Sequence, residues 1–205
     1  MRLIEQLETG AAGGAPGPAG EELDRLAELH AAGLAVAPIM LVPASSEEAF
    51  YHYGNLVRRL NRLFRDVDPV DPDEDDLEEL APEAMTLVTG SYLLDEVIDE
   101  FYETVRFLPE ERRVRRPGSA GVPARGARGC LLALKRTWAE DWSFSALSER
   151  VPATAGFGLD ARPVLVHEAD APAADRVLLG RVAEVLGTAA SVWVTPDGSI
   201  SRLAG

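Results

Sequence analysis

Residues 21–42 read EELDRLAELHAAGLAVAPIMLV, and two different hydrophobic periods meet inside that stretch. Leu23, Leu26, Ala27 and Leu29 recur at helical spacing, with acids in the first turn. That pattern predicts an amphipathic helix over 21–32, stopped by Gly33. The following run, 36–42, is apolar and reads as a buried strand. A helix feeding into a buried strand opens a pattern in which helices and short strands interleave along the chain, and that mix reads as α+β.

Working outward, Ser45, Ser46, Glu47 and Glu48 look like a capped helix start. The helix is expected to reach about Phe64, with Ala49, Tyr53, Leu56, Leu60 and Leu63 inward. Residues 66–83 hold ten acids and no base, and Pro69, Pro72 and Pro82 break helix, so this stretch reads as an acidic linker. Asp71, Asp73 and Asp75 have the spacing of a calcium loop's first ligands. Asp76 stands where that loop needs glycine and Pro82 where it needs glutamate, so the calcium reading is set aside. A second long helix is expected over 93–108, with Leu94, Val97, Ile98, Phe101, Val105 and Leu108 on its core stripe.

Residues 112–129 form a basic segment ending in PGSAGVPARGARG at 117–129, which reads as a glycine-rich loop. Helix is expected over 130–150, with Trp138, Trp142 and Phe144 marking a place where it could bend. A strand at 163–168, a helix at 173–186 ending at Gly187, and a hairpin around Pro196, Asp197 and Gly198 complete the chain. Upstream, GAAGGAPGPAG at 10–20 is a flexible stretch, and it lacks the Lys-Ser/Thr ending of a phosphate loop. The organisation is therefore a flexible segment 1–19 and a single domain 20–205.

The totals narrow the function. Among 205 residues there is one lysine, Lys135, against 19 arginines, so any lysine-dependent chemistry has a single candidate. A chain this long buries about 70 % of its unfolded surface and needs no staple. The lone Cys130 rules out an internal disulfide and fits a reducing compartment. No secretory signal and no membrane-spanning run is read, so a cytoplasmic protein is expected. A net charge of −14 argues against nucleic acid as a partner. The clustering of guanidinium groups around 106–136 suits an anion site, because planar guanidinium binds phosphate well. His30, His52 and His167 lack metal-ligand spacing, and no metal is expected. Cys130 reads as a plain buried thiol, and GFG at 156–158 lacks the third glycine of a dinucleotide loop.

Several segments in order resemble the ATP-binding domain of the phosphoenolpyruvate synthase, pyruvate phosphate dikinase and rifampin phosphotransferase family. They are GEE at 20–22, GLAVAP at 33–38, VRRPGSA at 114–120, RGARGCLL at 125–132, TWAEDW at 137–142, PVLVH at 163–167, ASVW at 190–193 and ISRL at 200–203. The resemblance implies an ATP-grasp-like fold, a mixed sheet with flanking helices, and ATP with magnesium as ligand. It also implies an anion site drawn from Arg115, Arg116, Gly118, Ser119, Gly126 and Arg128. The departures bear on activity. The family's phosphate lysine falls on Glu22, its metal-side glutamate on Val192 and its AGQ glutamine on Ala127. Magnesium-ATP chemistry needs lysine, arginine and carboxylates acting together. With no catalytic residue carried over, and Arg115 the one phosphate-contacting residue of the family pattern that survives, the expectation is a catalytically degenerate binding or regulatory module for a nucleotide or other phosphate-bearing anion. Two alternatives stand beside it. One is an interaction protein that pairs with a partner or itself through the acidic linker and the Trp138/Trp142 face. The other is a diverged phosphotransferase using Arg115 and Lys135.

Overall fold

The computed structural model of the chain describes residues 5–6 and 18–204. The segment 1–19 thus lies outside the described residues except for the backbone of strand β1 (Glu5–Gln6) and the first residues of helix α1 (Pro18–Ala31). Leu23, Leu26 and Leu29 of α1 are buried, and Gly33 follows in the left-handed region at φ +80°, as the sequence predicts. The strand after it is shorter than expected. Strand β2 covers Ile39–Val42, and Val36 makes only an isolated bridge to Ile200.

The central sheet runs β1-β2-β5-β3-β4, where β3 is Glu111–Arg115, β4 Val122–Arg125 and β5 Val164–Glu168. A second sheet runs β6-β7-β8, with β6 at Ala171–Pro172, β7 at Ser191–Val194 and β8 at Ile200–Ala204. The class is α+β, but both sheets are antiparallel in every strand pairing described, in place of the expected mixed sheet. A mixed sheet needs a crossover returning a strand parallel to its neighbour. Here β3 and β4 are joined as a hairpin, and β5 enters between β2 and β3 antiparallel to both.

Period-two alternation in the central strands divides the core. Met40, Val42, Val114, Val164 and Val166 face one cluster, while Ile39, Leu41 and Leu165 face the other. The first cluster is roofed by six helices: α2 (Ala44–Tyr53), α3 (Leu56–Leu63), α4 (Glu74–Gly90), α5 (Asp95–Val105), α6 (Gly126–Glu140) and α7 (Phe144–Thr154). The second is closed by α1, α8 (Arg176–Leu186) and the small sheet. Helix α8 ends at Gly187 (φ +65°), as expected.

Four readings of the sequence are corrected. The single helix over 45–64 is two, broken at Gly54 and at Asn55, which adopts φ +49°. The break turns Tyr53 out to 62 % exposure while Leu56 and Leu60 stay buried. The acidic linker 66–83 is helix from Glu74 onward. Asp73 caps it by accepting from the Asp75 amide, and Glu74, Asp75 and Asp76 oppose the positive end of its dipole. The basic loop 112–129 holds β3, a turn, β4 and the first turn of α6, because Val122 and Ala124 pair across to Val114 and Arg112. The helix over 130–150 divides into α6 and α7, with Ser143 capping the second by accepting from the Ala146 amide.

Candidate functional site

Arg115 ends β3 and leaves the sheet on the face covered by α1, where it is fully buried. Its Nη1 and Nη2 donate to the two carboxylate oxygens of Glu22 at 2.8 and 2.7 Å, a bidentate pair. Its Nε donates to His167 Nε2 at 2.9 Å. A ring nitrogen that accepts leaves the proton on the other one, so His167 Nδ1 donates to the Glu168 carbonyl at 2.7 Å. Burial, reinforced by Arg115, holds the imidazole pKa down to about 4, so it is neutral at physiological pH. Glu22 accepts two further bonds, from the amides of Leu203 at 3.2 Å and Gly118 at 3.3 Å.

A second carboxylate extends this system. Asp170 lies 2.9 Å from Arg113 Nε and 3.7 Å from Arg202 Nε, and accepts from Ser201 Oγ at 3.0 Å. The Arg202 guanidinium sits 3.7 Å from the centre of the Trp193 ring. The same two arginines hold the turn after β3. Arg113 donates to the Ala120 carbonyl at 3.2 Å and Arg202 to that of Ser119 at 3.0 Å. Gly121 closes the turn at φ +71°. A Cβ there would lie 2.3 Å from Arg115 Cβ and 2.5 Å from the Val114 carbonyl, so only glycine fits.

Arg116, the next residue, turns to the opposite side and enters a separate cluster. Its Nη2 donates to both oxygens of Glu47 at 2.9 Å and also to Asp141, and its Nη1 donates to the Arg162 carbonyl. The Arg162 amide donates to Glu47 at 3.1 Å, and its side chain pairs with Asp141. Burial pushes the Glu47 carboxyl up to about 7. Arg116 opposes the rise and Asp141 adds to it. Tyr51 adjoins, accepting from Trp142 Nε1 at 2.7 Å and donating to the Trp138 carbonyl at 3.4 Å. Burial raises its phenol well above the usual range.

The six residues of the expected anion site are therefore not gathered together. Arg115 and Arg116 lie on opposite faces of the sheet, each paired with carboxylates. Gly118 and Ser119 sit in the turn at one end of β3. Ser119 Oγ donates to the Arg116 carbonyl at 2.9 Å. Gly126 and exposed Arg128 begin α6 beside Glu111, at the other end of that strand. Four strand steps separate those ends, roughly 13 Å. Trp138 and Trp142 are 1 % exposed, so the expected partner face is interior. Lys135 donates to the Ser91 carbonyl at 2.6 Å, between α6 and the end of α4, and does not join Arg115. Cys130 is buried, and burial lifts its thiol pKa to about 12, which leaves it unreactive.

Sequence reasoning missed Glu47, Asp141 and Asp170 as buried partners, and half-exposed Arg162 as the group that pairs with Asp141. The Glu22–Arg115 pair was not foreseen either. Magnesium-ATP does not fit the groups present. Arg115 spends its donors on Glu22 and His167. Among the described residues no group of three or more His, Cys, Asp or Glu is placed to hold a metal ion. No described helix is long and apolar enough to cross a membrane. No protein-family model matches the chain, and no curated protein matches it.

Proposed function

We propose that the chain is a catalytically inactive, ATP-grasp-like binding or regulatory module in which an internal carboxylate occupies the arginine that a ligand phosphate would engage. The observation that supports this reading is the buried bidentate pair between Glu22 and Arg115. A carboxylate offers guanidinium the same fork of acceptors as a phosphate edge. Glu22 therefore satisfies Arg115 without ligand, and an incoming anion would have to displace a partner already held by four polar contacts. Two of those contacts come from the Gly118 and Leu203 amides, so the carboxylate also organises the turn and the last strand.

Thermal unfolding with ATP, ADP, AMP, phosphoenolpyruvate and pyrophosphate, each with and without magnesium, tests the proposal. A ligand binding only the native state at 100 times its Kd adds about 2.7 kcal/mol. For a domain of this size that moves Tm by roughly 5 to 10 °C. The expected result is no nucleotide hydrolysis, and any ligand-induced shift is expected to persist in Arg115→Gln, because Glu22 already occupies that guanidinium. Magnesium-dependent turnover, or a shift that disappears in Arg115→Gln, would overturn it.

A further inference from the structure

Beside the Arg116 cluster, and apart from the residues that hold Arg115, an open cleft of about 380 Å³ lies between the α2–α3 elbow and the segment that follows α7. That volume falls within the roughly 300–1,000 Å³ typical of small-molecule sites. Its walls include Glu48 and His52 from α2, Asn55 from the elbow, and Arg58 and Asn61 from α3, with Tyr51, Val57 and Leu159 as the apolar part. Helical spacing aims them together. Glu48 and Tyr51 are three apart on α2, and Arg58 and Asn61 are three apart on α3. Among the described residues, neither Glu48 nor Arg58 forms an ion pair, although both line the same cleft. Opposite charges lining one cavity, neither of them in an ion pair, suit a ligand that carries both signs.

The backbone around the cleft is also unusual. Asn55 and Ala155 are the two non-glycine residues at positive φ among the described residues. Asn55 lines the cleft, and Ala155 opens the segment that brings Leu159 to it. Asn adopts this region readily, and Ala155 does so as the C-cap of α7, so the two positions fix the turns that shape the cleft. The segment is fastened on both sides. Phe157 stacks on Phe64 with ring centres 4.5 Å apart, and Arg162 is bound to Glu47 and Asp141. The wall is thus preformed.

We propose that this cleft binds a free α-amino acid. Arg58 receives the carboxylate, for which its planar fork is suited, and Glu48 receives the ammonium group. The carboxamides of Asn55 and Asn61 supply both donors and acceptors for what remains of the ligand. Overall charge agrees. A protein at −14 repels an oligo-anion, whereas a zwitterion brings no net charge to be opposed.

The test uses the full chain and the twenty free L-amino acids at millimolar concentration, read by thermal unfolding and then by calorimetry. At least one is expected to raise Tm. Its N-acetylated and its carboxamide forms are each expected to bind at least roughly tenfold more weakly. Glu48→Gln and Arg58→Gln lie at the surface, so each should keep the ligand-free Tm while losing affinity to a similar extent. No shift with any of the twenty, equal binding of the blocked forms, or wild-type affinity in both variants would overturn the assignment. The nucleotide series probes Arg115 instead, so either proposal can fail without the other.

Discussion

Arg115 and Arg116 show how one step along the chain reverses a side chain's surroundings. Arg115 is the last residue of a strand and points to the α1 side. Arg116 follows it and points to the α2–α7 side, where Glu47 and Asp141 share its Nη2. Among these residues Glu47 offers the clearest pH dependence. Its folded pKa of about 7 exceeds the ordinary carboxyl value of 4.5, so the folded chain holds that proton more tightly than the unfolded chain. The resulting contribution to stability is complete below about pH 4.5 and vanishes as the pH rises through about 7. In denaturation curves, wild type minus Glu47→Gln should therefore fall between pH 5 and 8, by on the order of 2–3 kcal/mol. A difference that stays flat would show that Arg116 keeps Glu47 ionised throughout. None of this was legible in the sequence. Glu47 read as one acid in a helix's first turn, and nothing in the local pattern distinguishes it from exposed Glu48.

At the scale of the element, α4 is where composition misled. Ten acids and three prolines outweighed a stripe of Leu77, Ala81, Ala84 and Val88, all buried. The stripe keeps helical spacing but is half alanine, so it carries little hydrophobic signal. The neighbouring helices supplied the burial that the acidic face could not. Pro82 survives inside α4 because it stands on the exposed face, where the carbonyl that loses its partner can meet water. Pro82→Ala should restore that hydrogen bond and stabilise the protein by about 1–3 kcal/mol. That corresponds to a rise in Tm of at least roughly 2 °C in calorimetry. An unchanged or lower Tm would mean that the proline's rigidity in the unfolded chain outweighs its cost in the helix. Similar reasoning covers the α2–α3 break. The apolar spacing carries on through 45–64, but Asn55 in the left-handed region redirects it so that Leu56 and Leu60 reach the core and Tyr53 does not.

At the scale of the molecule, Glu22, Arg115, His167, Ser201 and Leu203 join α1, the central sheet and the small sheet at one buried point. Breaking such a pair by removing one partner strands the other charge. Arg115→Met should cost about 3–5 kcal/mol in urea denaturation, and Glu22→Met combined with it should recover more than half. A cost below about 1 kcal/mol would show that the pair is not what fastens the two sheets. The sequence by itself determined the α+β class, α1 and its glycine stop, the buried strands β2 and β5, α8 and the β7–β8 hairpin. Each is written in neighbouring residues through hydrophobic period and turn chemistry. Only the tertiary structure decided which charges go inside, how the strands are ordered, and that the guanidinium expected to meet an anion meets Glu22. Arg115 and Glu22 are 93 positions apart, and their pairing depends on which face of a sheet each element presents. No local period encodes that.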